Sequence, residues 1–310
     1  MDRRQFLAAA SAAALARPLP AAPSAPMLPV IDTHQHLWDP NKLKLAWITP
    51  GHELAKTFGP KEYAEATAGL GVAKSIYMEV DVVPEFQQAE ADYVIGLCES
   101  KSTPMVAAVI GGSPESEAFP AYAKKYQGHK HVKGIRRVLH ADSTPPGFCL
   151  RPTFVKNIQM LGDLGLSFDL CVRPAELPDM AKLIGQCPNT RFILDHCGNP
   201  SVKFTPEQRD QWKRGLEQVA AHKNVVCKVS GFIVNGGKGT ATTDALAPYV
   251  NATIDTFGVD RAMFGGDWPV CTLVTTYKGW LTTLREILGS RPEADQRKVL
   301  HDNAAKFYGV

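Results

Sequence analysis

Short runs rich in β-branched and apolar residues alternate along the chain with segments whose apolar positions recur at helical spacing. The runs predict strands at Val30–His34, Ala73–Val80, Met105–Ile110, Val132–Leu139, Leu166–Val172, Thr190–Leu194, Val225–Val229 and Ala262–Phe264. Between them the pattern predicts helices at Pro60–Leu70, Pro84–Glu99, Phe119–Tyr126, Pro152–Leu164, Pro174–Gln186, Pro206–His222 and Ala245–Phe257. Gly279–Leu288 and Asp302–Phe307 are predicted to finish the chain. Several of these helices start at proline, whose missing N–H costs nothing in a first turn. Strands alternating with helices imply parallel βαβ units. Eight such units over roughly 250 residues predict one (β/α)8 barrel domain, spanning 30–310. An open doubly wound sheet is disfavoured: no Gly-x-Gly-x-x-Gly follows a strand, and Gly111-Gly112 alone is too weak a signal.

Composition changes this picture at the N-terminus only. Arg3 and Arg4 precede Phe6 and Leu7, and a run of alanines extends to Ala16. A charged segment, a short apolar one and a small-residue stop describe a secretory signal over 1–16. The order Arg-Arg-Gln-Phe-Leu resembles the twin-arginine type, whose pathway exports folded proteins, so a periplasmic location is expected. The apolar stretch is too short to span a bilayer. Pro18, Pro20, Pro23, Pro26 and Pro29 make 17–29 a linker. Elsewhere the balance is that of an ordinary globular chain, 45% hydrophobic and 21% charged with formal net charge +3. No basic tract points to nucleic acid, and once the signal is removed nothing points to a membrane. A homo-oligomer is compatible with the sequence but not specified by it. The seven cysteines lack CxxC or zinc-finger spacing and are expected to be small core residues.

In a barrel of this kind the chemistry sits where strands exit. The first strand exits as Asp32-Thr33-His34-Gln35-His36, and an i, i+2 pair on extended backbone faces one side. The sixth exits as Asp195-His196-Cys197-Gly198, the eighth as Gly265-Gly266-Asp267-Trp268-Pro269. Three imidazoles beside a carboxylate can hold one divalent metal, with Zn²⁺ the preferred ion, or Asp267 can act as general base on a water held there. Other groups near strand exits are Glu79, Arg136, Asp169, Arg173 and Lys228. They either contact a substrate or pair among themselves. Trp38 and Trp268 either stack on an apolar face of a substrate or pack in the core. The long segments Leu37–Gly59 and Asn235–Thr243 suit loops over the mouth.

The segments Asp-Thr-His-x-His-x-Trp, Asp-His-x-Gly-x-Pro and Gly-x-Asp-Trp-Pro-Val resemble the amidohydrolase superfamily. They are most similar to its branch of sugar-acid lactonases, the L-fuconolactonases and L-rhamnonolactonases, related to the pyrone-dicarboxylate lactonases. The resemblance runs from about residue 30 to 310. It implies hydrolysis of a small-molecule lactone, with His34, His36 and His196 around the carbonyl, Asp267 activating water and Arg136 facing the substrate. The chain departs from binuclear members, which carry a lysine late in strand four and a histidine at strand five. Here those strands read Arg137-Val138-Leu139-His140 and Phe168-Asp169-Leu170-Cys171. At most one metal is therefore expected at His34, His36, His196 and Asp267, and it is dispensable in part of the branch. Glu79 stands where many relatives have glutamine, and is read as an extra metal ligand, a carboxylate binding a substrate hydroxyl, or the partner of a nearby cation. Two alternatives remain: a decarboxylase using one metal on the same four residues, and a periplasmic sugar-acid binding protein without turnover.

Replacing Arg3 and Arg4 together by lysine is expected to trap precursor in the cytoplasm, read by fractionation and immunoblot. Undiminished export through the folded-protein route would refute the twin-arginine assignment.

Overall fold

The computed structural model describes residues 27–45 and 47–310, so the signal at 1–16 and most of the linker lie outside the described residues. Eight strands run β1 (Val30–Gln35), β2 (Val72–Met78), β3 (Met105–Gly111), β4 (Val132–Val138), β5 (Ser167–Cys171), β6 (Arg191–Leu194), β7 (Val225–Val229) and β8 (Ala262–Phe264). They form one sheet in sequence order, each pairing in parallel with the next. Closure is made just past the end of β8. There Gln35 and Trp268 form a parallel bridge, Asp267 N–H donates to the His34 carbonyl at 2.7 Å, and His36 N–H donates to the Trp268 carbonyl at 2.8 Å. The expected (β/α)8 barrel is what forms.

Helices alternate with the strands: α1 (Pro60–Thr67), α2 (Gln87–Ser100), α3 (Phe119–Lys124), α4 (Pro152–Asp163), α5 (Leu177–Gln186), α6 (Pro206–Ala220), α7 (Thr243–Phe257) and α8 (Tyr277–Leu288). Proline stands in the first turn of α1, α3, α4, α5 and α6. Thr205 and Gln208 form a reciprocal capping box at the start of α6, with bonds of 3.3 and 2.9 Å. The segments predicted to start helices at Pro84 and Pro174 instead begin as one 3₁₀ turn each, Pro84–Phe86 and Pro174–Glu176. The polar stretch before the C-terminus, without an apolar period, folds as α9 (Glu293–Arg297) and a π-turn before α10 (Asn303–Tyr308). Among the described residues no helix is long and apolar enough to cross a membrane.

Two apolar layers hold the barrel. The larger lies between sheet and helices and includes all seven cysteines except Cys171. The smaller fills the barrel itself: Ile31, Ile76, Met78, Val109, Ile193 and Met263 meet Ala304 and Tyr308 of α10. The ionisable groups inside the barrel, Glu79, Arg136, Asp169, Asp195 and Lys228, stand in the middle of the strands or at their exits.

Glu90 of α2 reaches the sheet, where its Oε1 accepts Tyr77 O–H and Val80 N–H, both at 2.8 Å. Burial, then the nearby Glu79 carboxylate, pushes this acid up to about 8. The fold keeps the proton while the unfolded chain releases it. The stability contribution is therefore fully present below the ordinary carboxyl range and is lost as pH rises through about 8. Urea unfolding at stepped pH should show that decline, and Glu90→Gln, which keeps an acceptor but does not titrate, should flatten it. An unaltered slope in the variant would contradict the assignment.

Candidate active site

Three strand exits build the site. Asp32, buried in β1, accepts the backbone N–H of His34 at 3.0 Å, that of Gly266 at 2.7 Å, and Tyr63 O–H at 2.8 Å. It thereby fixes the His34–His36 segment against the chain leaving β8. A Cβ on Gly266 would lie 2.6 Å from Asp32 Oδ2 and 2.3 Å from the Tyr277 ring, so only glycine permits this approach. His196 (φ 56°) and Asp267 (φ 51°) both sit in left-handed backbone. Such a conformation costs a non-glycine residue about 1 kcal/mol or more.

The rings of His34 and His36 are 4.9 Å apart, and those of His34 and His196 4.4 Å. Asp267 Oδ1 lies 3.3 Å from His36 Nε2 and 3.7 Å from His34 Nε2. His36 Nδ1 is engaged by the Met78 carbonyl at 2.9 Å, which places its proton there and turns an Nε2 lone pair toward Asp267. His196 Nδ1 is 2.8 Å from Ser230 Oγ. Burial lowers His34 well below the ordinary imidazole range and lowers His196 too, so both rings are neutral.

Beneath the histidines lies a chain of buried charges. Arg136 Nε donates to Glu79 Oε1 at 2.5 Å and Nη2 to the Glu79 carbonyl at 2.8 Å. Lys228 Nζ lies 2.6 Å from Asp169 Oδ2 and 3.2 Å from Asp195 Oδ1, and Asp195 Oδ1 is also 3.5 Å from His34 Nδ1. Burial opposes charge on Lys228, but Asp169 and Asp195 outweigh it and raise the ammonium above its usual range. Burial likewise opposes ionisation of Asp195, yet Lys228 and His34 hold its carboxyl well below the ordinary value. Removing one member of such a buried pair costs about 3–5 kcal/mol.

Above this floor opens a cavity of about 410 Å³ lined by His36, Arg136, His196 and Asp267. Four of the sequence candidates therefore meet at one surface. His34 stands directly behind it, and Glu79 backs Arg136. Asp169 and Lys228 face each other within the barrel, off the cavity wall. Trp38 and Trp268 are also off the wall: they pack edge-on against Phe58, at 5.3 and 5.4 Å. The aromatic side chain on the wall is Trp47, 39% exposed, its indole N–H bonded to the Val80 carbonyl at 2.8 Å. Arg173 turns to Glu176 at 2.8 Å. Asp81, His140, Asn199 and Asn235 line the cavity without having stood out in the sequence. Asp195 and Ser230, which orient the histidines, were equally missed, although Asp195 is the immediate neighbour of His196. Among the described residues His34, His196 and Asp267 offer donor atoms within 4.8 Å of one another, a set that fits one metal ion in number and type.

Three imidazoles and a carboxylate at the C-terminal mouth of a parallel barrel define a site able to hold and deprotonate water. The amidohydrolase family model matches residues 31–310, and the chain belongs to that family. It is 28% identical over 286 residues to an L-fucono-1,5-lactonase of Burkholderia ambifaria, covering 90% of this chain and 95% of that one. An L-rhamnono-gamma-lactonase of Scheffersomyces stipitis is 24% identical over 333 residues, with 91% and 98% covered. An amidohydrolase of Burkholderia multivorans solved with bound zinc superposes with TM-score 0.81 at 23% identity, over 91% of this chain and 99% of that one, a likeness of fold.

A Cβ on Gly231 would fall 2.3 Å from His196 Nδ1 and 2.7 Å from Asp267 Oδ2. Gly231→Ala is therefore expected to displace both groups and cut turnover by roughly 10²-fold or more, the scale of a 1 Å misplacement. Full turnover in a folded Gly231→Ala protein would show that this packing does not set the site.

Proposed function

We propose that the protein is an exported hydrolase that opens a small lactone, a sugar-acid lactone or related cyclic ester. The observation that carries this is Asp267 Oδ1 at the cavity wall, 3.3 Å from the His36 Nε2 lone pair. Two acceptors so placed can share one water, each taking a hydrogen bond from it. The kinship with proteins named as lactonases supports the choice of substrate class.

In the proposed reaction the carbonyl carbon is attacked by this water, whose proton passes to Asp267. The developing oxyanion faces the imidazoles. When the Ser230 hydroxyl donates to His196 Nδ1, the ring presents Nε2–H to that oxygen. Collapse breaks the ring C–O bond, and the alkoxide recovers the proton from Asp267. The product is the open hydroxy acid. Because the leaving alkoxide stays tethered and takes back the same proton, one carboxylate suffices. A single divalent ion, zinc suiting these N and O donors, would be held by His34, His196 and Asp267 and would supply Lewis-acid polarisation of the carbonyl. Turnover is expected to survive its removal in part.

Screening sugar and aromatic lactones with a pH indicator should reveal acid release. Asp267→Asn keeps shape but cannot accept a proton, so turnover should fall by roughly 10²–10⁴-fold with the fold intact. A variant keeping more than half its activity would exclude Asp267 as the base, and CO₂ release without lactone opening would point to decarboxylation instead.

A further inference from the structure

Arg136 brings a fixed cation to the edge of the metal-donor group. Its guanidinium is 5% exposed and is clamped by one residue at two atoms, Nε on the Glu79 carboxylate and Nη2 on the Glu79 carbonyl, at 2.5 and 2.8 Å. The other oxygen of that carboxylate, Oε2, is held by Asp81 N–H at 2.6 Å, so the clamp itself cannot swing freely. A planar fork fixed at two corners has its third corner fixed too. Nη1 is thereby delivered 3.3 Å from His34 Nε2 and 3.4 Å from Asp195 Oδ2.

The His34 ring shows which partner takes its lone pair. Its Nε2 lies 3.3 Å from Arg136 Nη1, which can only donate, so Nε2 is the acceptor and the ring proton sits on Nδ1, on the side of Asp195. Arg136 Nη1 is a donor with no acceptor capacity, and it lies on that acceptor. One lone pair cannot serve an arginine N–H and a metal together. A divalent ion at His34, His196 and Asp267 would also stand close to a guanidinium that cannot move away, because both of its clamps are buried. Of the five N–H donors of an arginine, four have acceptors here: Glu79 Oε1, the Glu79 carbonyl, Asp195 Oδ2 and His34 Nε2. One N–H, on Nη2, is left over on a side chain that lines the cavity.

We propose that Arg136, clamped by Glu79, takes the electrophile's place at this site: it competes with a metal for His34 and uses its spare N–H to polarise the substrate carbonyl. The competition stands on geometry alone, whereas the polarising role rests on the lactone function proposed above.

The test separates the two. Chelator-stripped wild type and Arg136→Met are titrated with Zn²⁺ alone by equilibrium dialysis, and each is assayed zinc-free on the lactone identified by screening. With the guanidinium gone, His34 Nε2 is released, and zinc should bind roughly 10–100-fold tighter than to wild type, the scale of losing or gaining a contact behind a metal ligand. Zinc-free turnover should fall by roughly 10²–10³-fold, as on removing one oxyanion donor. If Arg136→Met does not fold because Glu79 is left buried and unpaired, the double variant Arg136→Met/Glu79→Met removes both charges and should show the same tightening. Zinc binding no tighter in the folded variant than in wild type would overturn the competition. Wild-type turnover lost entirely with its zinc would overturn the polarising role. A wild type that opens no lactone defeats the lactone function, and the polarising role with it, while the zinc titration still decides the competition.

Discussion

The site depends on how the first strand is joined to the chain leaving the last. Asp32 is the joint: one buried carboxylate takes N–H groups from both segments, at His34 and Gly266, and a phenol from α1 at Tyr63. Burial pushes such an acid up, and these donors oppose the push by stabilising its charged form. Thr33 adds a bond from its hydroxyl to the Phe264 carbonyl at 2.7 Å. Because β8 is only three residues long, little ladder is available for closure, and the work passes to side chains and to the residues after the strand. Those same residues carry His34, His36 and Asp267. Closing the barrel and setting the distances among the imidazoles and the carboxylate are one event.

Above the apolar plug, the barrel interior is ionic. β4, β5 and β7 contribute Arg136, Asp169 and Lys228, and the exits of β2 and β6 contribute Glu79 and Asp195, each within 4 Å of an opposite charge. Asp195 is the shared member, facing Lys228, Arg136 and His34. Unpaired, any of these groups would be expensive to bury; together they surround His34, whose ring nitrogens face Asp195 and Arg136. The arrangement favours specificity of geometry over stability, as a well-packed apolar core of the same volume would serve stability as well.

Much of this was legible in the sequence, for identifiable reasons. Strand positions fell within about two residues of those observed because alternating β-branched runs and helical periods leave little choice of register over eight repeats. His34, His36, His196 and Asp267 stood out because chemistry-bearing residues follow apolar strands directly. The pairing of Lys228 with Asp169 was one of two open possibilities, as the partners are 59 residues apart and only the barrel brings them together. Trp38 and Trp268 lie in the aromatic layer because their loops fold back on Phe58 and Tyr63, a tertiary choice with no local signature. His140 and Asn199 reach the cavity for the same kind of reason. Asp195 and Ser230 were hidden by their ordinariness: nothing in an acid or a serine after a strand says that it orients a neighbouring ring.

The division of labour between strands and loops has a consequence for substrate choice. His34, His36, His196 and Asp267 are buried at the strand exits, so their geometry tolerates little change. Trp47, Asn199 and Asn235 belong to the loops after β1, β6 and β7 and line the same cavity. Across the mouth, Glu53 of the first loop meets Lys238 of the loop after β7 at 3.0 Å, both more than 60% exposed. An ion pair that exposed is worth at most about 1 kcal/mol, so it orders the loops without locking them. Loop substitutions can therefore reshape the cavity while leaving Asp32, the buried charges and the imidazoles where they are. Discrimination among substrates falls to the loops, and the fixed geometry of the imidazoles and Asp267 falls to the strand exits.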